Sequence, residues 1–184
     1  GKTVFGFDIK REGMVVAVIN RPPAFGTKIK SVDASAAKAM PGVIDVVTFN
    51  NNVAIIASST WPLLKARKAV KIEYEKDGNN NIESSADHNR VFTELMDSND
   101  KATVRRKDGD VDTAFKNAAK VVKAEYQCPF LPHSPMEPMN FFADVREDKV
   151  ELIGPTQVPG NAVSSVARLL NIPADKVSLT LTRL

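Results

Sequence analysis

The hydrophobic and polar positions along the chain change period several times, which predicts a mixture of strands and helices. Short β-branched runs that alternate with polar residues predict strands, and they lie at residues 4–9, 14–19, 28–32, 43–49, 53–57, 71–75, 102–106, 121–126, 140–145, 150–153 and 175–184. Helix-forming stretches, most with apolar residues three and four apart, predict helices, and they lie at residues 34–40, 60–70, 85–96, 111–119 and 159–171. This order predicts an α+β chain with two β-rich blocks.

Turn-forming residues separate several of the predicted strands. Residues 10–13 suit a hairpin turn between the first two strands, and three consecutive asparagines at 50–52 suit a second hairpin because asparagine tolerates left-handed backbone. Residues 146–149 predict a third hairpin turn. In the strand at 28–32, Ile29 and Val32 do not share strict alternation, which predicts a bulge or an early end.

The polar, asparagine-rich run at 76–81 is the clearest linker in the chain. We therefore expect three parts. Residues 1–76 form the first domain, residues 77–100 form a polar linker with a surface helix, and residues 101–184 form part of a second domain.

Composition excludes several classes of protein. The chain has 184 residues, of which 43% are hydrophobic and 26% charged, as is ordinary for a globular protein with a core. A net charge of +3, spread evenly, does not favour a nucleic-acid partner. No run approaches the roughly 20 apolar residues of a membrane-spanning helix, so no membrane span is expected. The single cysteine, Cys128, excludes an internal disulfide.

The most unusual segment is 127–140, where four prolines hold His133, Glu137 and Asn140 in a stretch that is neither ordinary helix nor central strand. Such a stiff, non-repeating backbone displays polar side chains as the wall of a site does. Structural pairing and functional use of Glu137 both remain open. Gln157 follows a Gly-Pro-Thr turn at a strand end, where its amide can bind a polar ligand or stabilise the turn.

The same segment contains soft donors. Cys128, His133, Met136 and Met139 are a conceivable copper(I) set, although buried cysteine and methionine usually fill a core. A nucleophilic pair of Cys128 and His133 has less support, because no acidic group that would orient the histidine is identified. No metal site is therefore predicted from these residues.

A series of short motifs in a fixed order resembles the molybdenum-containing subunit of the xanthine dehydrogenase and aldehyde oxidase family, in particular its isoquinoline 1-oxidoreductase β-subunit branch. The resemblance covers nearly the whole chain. It is carried by Phe7-Asp8-Ile9, Gly13-Met14, Ser31-Val32-Asp33, Pro41-Gly42-Val43, Val53-Ala54-Ile55, Ser59-Thr60-Trp61, Lys65-Ala66, Gly109-Asp110-Val111 with Ala114, residues 133–140 and Gly154-Pro155-Thr156-Gln157.

The resemblance implies an α/β hammerhead, a mixed sheet with a few helices, followed by the first β-rich part of a molybdopterin-binding domain. It implies that Gln157 lies near the molybdenum cofactor and is the cofactor-binding residue of this chain. It further implies that Glu137, Asn140 and His133 shape the surrounding site. No catalytic residue is expected within this chain, because the general-base glutamate of the family lies further downstream.

The resemblance also implies a reaction and its partners. The family oxidatively hydroxylates an N-heterocycle or an aldehyde, with water as the oxygen source. The implied cofactor is molybdopterin in its cytosine dinucleotide form, and the implied partners are the remainder of the molybdenum subunit, an iron–sulfur subunit with 2Fe–2S clusters and a small-molecule substrate. Relatives of this branch are bacterial, and both a cytoplasmic and a periplasmic location remain open.

In the family, a Gly-Gly-Gly-Phe-Gly segment follows the position that matches residues 182–184, so we expect these 184 residues alone to hold no cofactor and to be inactive. The alternative from a different class is a non-catalytic binding or assembly module that uses the proline-rich segment 129–138. A gene that continues with glycine-rich and late glutamate motifs distinguishes the enzyme from the module.

Overall fold

Strands and helices alternate irregularly within residues 1–78, 84–98 and 102–183, the part of the chain that this computed structural model describes. The strands are β1 (Val16–Asn20), β2 (Thr27–Asp33), β3 (Val43–Phe49), β4 (Asn52–Ala57), β5 (Lys71–Lys76), β6 (Phe142–Val145), β7 (Val150–Gly154) and β8 (Val177–Leu181). The α-helices are α1 (Ser35–Lys38), α2 (Thr60–Ala69), α3 (Ser85–Asp97), α4 (Val111–Asn117) and α5 (Pro159–Leu170). This mixture confirms the predicted α+β class.

Contacts divide the chain into two units, of which one contains the residues between Gly13 and Lys123. Its antiparallel sheet has the order β1-β4-β3, and β2 and β5 form a separate antiparallel pair. The central strand β4 places Val53, Ile55 and Ala57 on one face, and all three are fully buried. Leu63 and Ala66 of α2 pack into the same cluster, which explains the apolar spacing of that helix.

The β3–β4 hairpin confirms the turn predicted from the asparagine run. Asn50 and Asn51 have φ values of 43° and 61°, the left-handed conformation that a two-residue hairpin requires. The Asn51 amide also reaches β2, where it accepts from the Ile29 N–H at 2.7 Å and donates to the Thr27 carbonyl at 3.1 Å. The register of β2 shifts between Ile29 and Ser31, which confirms the predicted bulge.

The other unit contains Gly1–Glu12 and the chain from Ala124 onward. Its sheet has the order β6-β7-β8, in which β6 and β7 are antiparallel and β7 and β8 are parallel. Helix α5 connects the two parallel strands, and its Ala167 packs on Val150, Leu152 and Val177. A parallel pair needs such a crossover, so α5 follows directly from the topology.

Three strand predictions are wrong. Residues 4–9 contain a 3₁₀ turn at Gly6–Asp8, because the Asp8 carboxylate accepts from the Phe5 N–H and closes the turn. The first hairpin is therefore absent from the described residues, and β1 pairs with β4. Residues 102–106 and 121–126 contain no described strand, and Val122 and Tyr126 are 79% and 90% exposed, so no neighbouring strand covers them.

The predicted domain boundaries, after residues 76 and 100, stay a prediction. Residues 79–83 and 99–100 of the predicted linker lie outside the described residues. The surface helix predicted at 85–96 is confirmed by α3. Within the described ranges, no helix has the length and apolar character needed to cross a membrane.

Candidate binding site at the end of strand β7

Gln157 lies in the short loop between β7 and α5, and its side chain is exposed. The local sequence explains this position. Pro155 cannot continue the ladder because it has no N–H, the Thr156 hydroxyl accepts from the Val158 N–H at 3.1 Å, and Pro159 occupies the first turn of α5. The loop lies at the carboxyl end of a strand with a parallel neighbour, the edge at which ligands of α/β sheets commonly bind.

The end of β7 packs against an aromatic ring. A Cβ atom placed on Gly154 would lie 2.6 Å from Cδ2 of Phe141, so the ring occupies the space that any other residue would need. Phe141 directly follows Asn140 in the chain. This contact therefore brings the proline-rich segment against the strand end that leads to Gln157.

Glu137 and Asn140 form a hydrogen-bonded pair with the amino-terminal turn. Oε1 of Glu137 accepts from the Phe7 N–H at 3.0 Å and from Nδ2 of Asn140 at 2.9 Å. The same amide nitrogen donates to the Pro138 carbonyl at 2.9 Å. Gly6 is buried against Asn140, and a Cβ atom there would lie 2.0 Å from Oδ1. We call Gly6, Phe7, Glu137 and Asn140 the Glu137 cluster.

The second carboxylate oxygen of Glu137 has a different environment. Oε2 is inaccessible to solvent and has no hydrogen-bond partner among the described residues. An unsatisfied buried acceptor costs about 1–3 kcal/mol. The Glu137 cluster therefore offers one oxygen that a donor from a ligand or from another part of the protein would stabilise.

The remaining predicted site residue is not part of this cluster. His133 is exposed in a stretch of the described chain without regular structure, next to Ser134, whose φ of 40° is left-handed. No described hydrogen bond joins it to Cys128, which is an exposed free thiol. Met136 is fully exposed. Among the described residues, no group of three or more His, Cys, Asp or Glu side chains is placed to hold a metal ion.

Sequence reasoning found Glu137, Asn140 and Gln157 but missed Gly6, Phe7 and Phe141. The first two were assigned to a strand, although a glycine followed two residues later by an aspartate is compatible with a side-chain-closed turn. No local signal identifies Phe7 as the partner of a carboxylate 130 positions away. The contact of Phe141 with Gly154 likewise depends on the pairing of β6 with β7.

Residues 93–184 match the sequence model of the molybdopterin cofactor-binding domain family. The chain is 28% identical to the membrane-bound aldehyde dehydrogenase (pyrroloquinoline-quinone) of Gluconacetobacter polyoxogenes, with 97% of this chain and 24% of that protein covered. It is 25% identical to the isoquinoline 1-oxidoreductase subunit beta of Brevundimonas diminuta, with 98% and 24% covered. The chain thus spans about a quarter of the length of these relatives.

Solved structures show the same fold. Quinoline 2-oxidoreductase from Pseudomonas putida 86 matches with a TM-score of 0.71 at 18% identity, over 100% of this chain and 28% of that chain. The Cu,Mo-CO dehydrogenase matches with a TM-score of 0.71 at 21% identity, over 100% and 29%. At these identities the likeness concerns the fold alone.

Proposed function

The chain belongs to the molybdopterin cofactor-binding domain family, and with it to the xanthine oxidase family, and from that premise we propose that it is part of the molybdenum subunit of a hydroxylating oxidoreductase. The single observation that carries the proposal is the family match over residues 93–184, half of the chain. The reaction proposed is oxidative hydroxylation of an N-heterocycle or an aldehyde with water as the oxygen source. Similarity to an isoquinoline 1-oxidoreductase subunit and an aldehyde dehydrogenase supports this range of substrates.

We place the proposed cofactor near Gln157 and the Glu137 cluster, and the donor and acceptor groups there fit it. The exposed amide of Gln157 both donates and accepts without adding charge, so it could hydrogen-bond a polar group of the cofactor. The buried, unpartnered Oε2 of Glu137 needs a donor, and a pterin has several N–H groups. When bound, the molybdenum cofactor supplies the two-electron redox chemistry.

The tasks proposed for this chain are orientation and support. Gln157 orients the bound group through its amide and would hold it at the carboxyl end of β7. The Glu137 cluster and the ring of Phe141 fix the backbone on either side of that position. Asn140 and the Phe7 N–H both donate to Oε1 of Glu137, which fixes the carboxylate and leaves the buried Oε2 without a partner among the described residues.

The finer assignments belong to the same proposal. Residues 1–76 contribute the hammerhead, and residues 101–184 contribute the first part of the cofactor domain, which the family match over residues 93–184 supports. The cofactor is the cytosine dinucleotide form of molybdopterin, the branch is that of isoquinoline 1-oxidoreductase, and a 2Fe–2S subunit removes electrons. One relative's name specifies pyrroloquinoline quinone. We propose molybdopterin and not pyrroloquinoline quinone, because the match to the molybdopterin cofactor-binding domain family rests on this chain's own residues.

A non-catalytic module built on residues 129–138 was the competing prediction. The relatives are named as dehydrogenases, oxidoreductases and oxidases, so they give the module no support. The same segment instead contributes Glu137 to the candidate site.

The full-length subunit with its iron–sulfur partner provides the test. Gln157→Ala should retain molybdenum, measured by mass spectrometry, and should lower kcat by about tenfold to a hundredfold, the value of one hydrogen bond to a charged group. Asn117→Ala is the matched control, because Asn117 is an exposed amide at the end of α4. Unchanged kcat in Gln157→Ala, or an equal loss in Asn117→Ala, contradicts the role of Gln157. A subunit that takes up no molybdenum contradicts the function itself.

A further inference from the structure

Helix α2 carries four exposed side chains on the face opposite its packed face. Its Leu63 and Ala66 are buried in the core cluster that contains β4. On the opposite face, positions i, i+3, i+4 and i+7 form one stripe along the helix, and they are Trp61, Leu64, Lys65 and Lys68, all exposed. We call these four residues the α2 stripe.

The amino-terminal half of the α2 stripe is apolar. Trp61 is 67% exposed and Leu64 is 42% exposed. The ammonium of Lys65 lies 5.1 Å from the centroid of the Trp61 ring, a cation–π attraction that favours a ring lying along the helix. A large aromatic ring and a leucine are therefore neighbours on the surface, one helical turn apart.

The carboxyl-terminal half of the α2 stripe is cationic and has no acidic neighbour in the sequence. Residues 46–72 contain no Asp or Glu but four cations, at positions 65, 67, 68 and 71. Lys28 and Lys38 of the same unit form ion pairs, whereas among the described residues neither Lys65 nor Lys68 does. The α2 stripe therefore keeps its positive charge.

A solvated helix face is the competing interpretation of these residues. Lys68 in the last turn suits the helix dipole, and exposed apolar residues scattered singly need no explanation. Neither argument accounts for Trp61 and Leu64 on the same stripe as two unpaired cations. This combination is typical of a surface that docks on an anionic, partly apolar partner.

We propose that the α2 stripe docks on a membrane surface that contains anionic lipids. Tryptophan favours the boundary between headgroups and hydrocarbon, and lysine keeps its ammonium among the headgroups while its stem covers apolar surface. Anionic headgroups supply the charge that Lys65 and Lys68 lack. An acidic protein surface fits less well, because protein interfaces are enriched in Trp and Arg but depleted in Lys.

This contact is peripheral, because the buried face of α2 stays packed on its own unit. It requires no bound molybdenum cofactor. The proposal therefore stands or fails separately from the proposed reaction.

Flotation of the full-length subunit with its iron–sulfur partner, on phosphatidylcholine vesicles with or without phosphatidylglycerol, tests the docking. Binding should require phosphatidylglycerol and should weaken as salt is raised. Lys65→Gln combined with Lys68→Gln should weaken it by about tenfold to thirtyfold, as expected for two lysines at an anionic surface. Lys28→Gln combined with Lys30→Gln is the matched control, because it removes the same charge from half-exposed side chains of β2, and it should leave the binding nearly unchanged.

The fluorescence of Trp61 gives a second, local readout. Trp61 is the one tryptophan of these 184 residues, and the difference in emission between the native subunit and Trp61→Phe isolates its signal from tryptophans elsewhere in the subunit. That difference spectrum should shift to shorter wavelength on anionic vesicles. Lipids brominated on their acyl chains should quench it, because the ring reaches the headgroup boundary.

Three results overturn the proposal. The first is the absence of flotation with anionic vesicles, which leaves a protein as the occupant of the α2 stripe. The second is an equal loss of binding in the two lysine pairs, which indicates attraction to net charge without a defined surface. The third is flotation during which the emission of Trp61 neither shifts nor is quenched, which places the membrane contact elsewhere in the subunit.

Discussion

Replacing Gly6 with alanine should loosen the contact between the amino-terminal turn and the proline-rich segment. The new Cβ would lie 2.0 Å from Oδ1 and 2.9 Å from Cγ of Asn140, so the Asn140 side chain must move. It would then lose its hydrogen bonds to Glu137 Oε1 and to the Pro138 carbonyl, both 2.9 Å long. The φ of Gly6 is not left-handed, so alanine introduces no backbone strain.

The magnitude follows from two opposing effects. Two hydrogen bonds contribute about 0.5–1.5 kcal/mol each, and alanine restores about 0.4–1 kcal/mol by restricting the unfolded chain. The difference between the two effects is a net loss of about 1.3 kcal/mol at the midpoints, and of about 2.6 kcal/mol at most. Because the chain has two units, the suitable assay is the denaturant dependence of hydrogen exchange at the Phe7 amide, which donates to Glu137.

A double-mutant cycle isolates the cause. In an Asn140→Ala background the side chain that would clash is absent, so Gly6→Ala should be neutral or stabilising there. Gly160→Ala is the matched control, because nothing lies within 4 Å of its added Cβ and the residue is helical. The reasoning is refuted if Gly6→Ala protects the Phe7 amide as well as the native glycine does, or if its cost is the same with and without Asn140.

Three further changes test other parts of the structure. Gly154→Ala should destabilise its unit by about 1–3 kcal/mol through overpacking against Phe141, and Phe141→Ala in the same chain should remove that clash, as thermal unfolding would show. Asn51→Gly should keep the hairpin but lose both hydrogen bonds to β2, at about 1–3 kcal/mol in urea unfolding. The hydrogen bond from Lys38 lowers the pKa of Asp45 from its usual value. A carboxylate with a lowered folded pKa contributes stability that is present above its unfolded pKa and is lost as the pH falls through the folded pKa, so Asp45→Asn should flatten that acid dependence of unfolding.

Sequence patterns predicted the elements whose determinants are local. The asparagines of the β3–β4 turn tolerate left-handed backbone whatever surrounds them, so their hairpin could be predicted from residues alone. The helical spacing of α5 and the strands on either side of residues 146–149 are local in the same sense. Each of these elements is present in the structure.

The predictions of secondary structure are wrong where contacts between residues far apart in the chain determine the backbone. The apolar run at 4–9 matches a strand, but its Asp8 closes a turn and its Phe7 N–H finds Glu137 far along the chain. Residues 121–126 match a strand equally well and find no partner strand among the described residues. In the site, the Gly-Pro-Thr turn before Gln157 predicts its position at a strand end. The contacts of the Glu137 cluster join residues far apart in the chain, so local sequence does not predict them.

The most direct test of the central claim, that Gln157 contacts the bound cofactor, is the electron paramagnetic resonance spectrum of Mo(V) in the full-length holoenzyme. Gln157→Ala should change the spectrum relative to the native enzyme at equal molybdenum content, because the proposed hydrogen bond between the Gln157 amide and the bound cofactor is lost. A spectrum that superimposes on that of the native enzyme would contradict the claim.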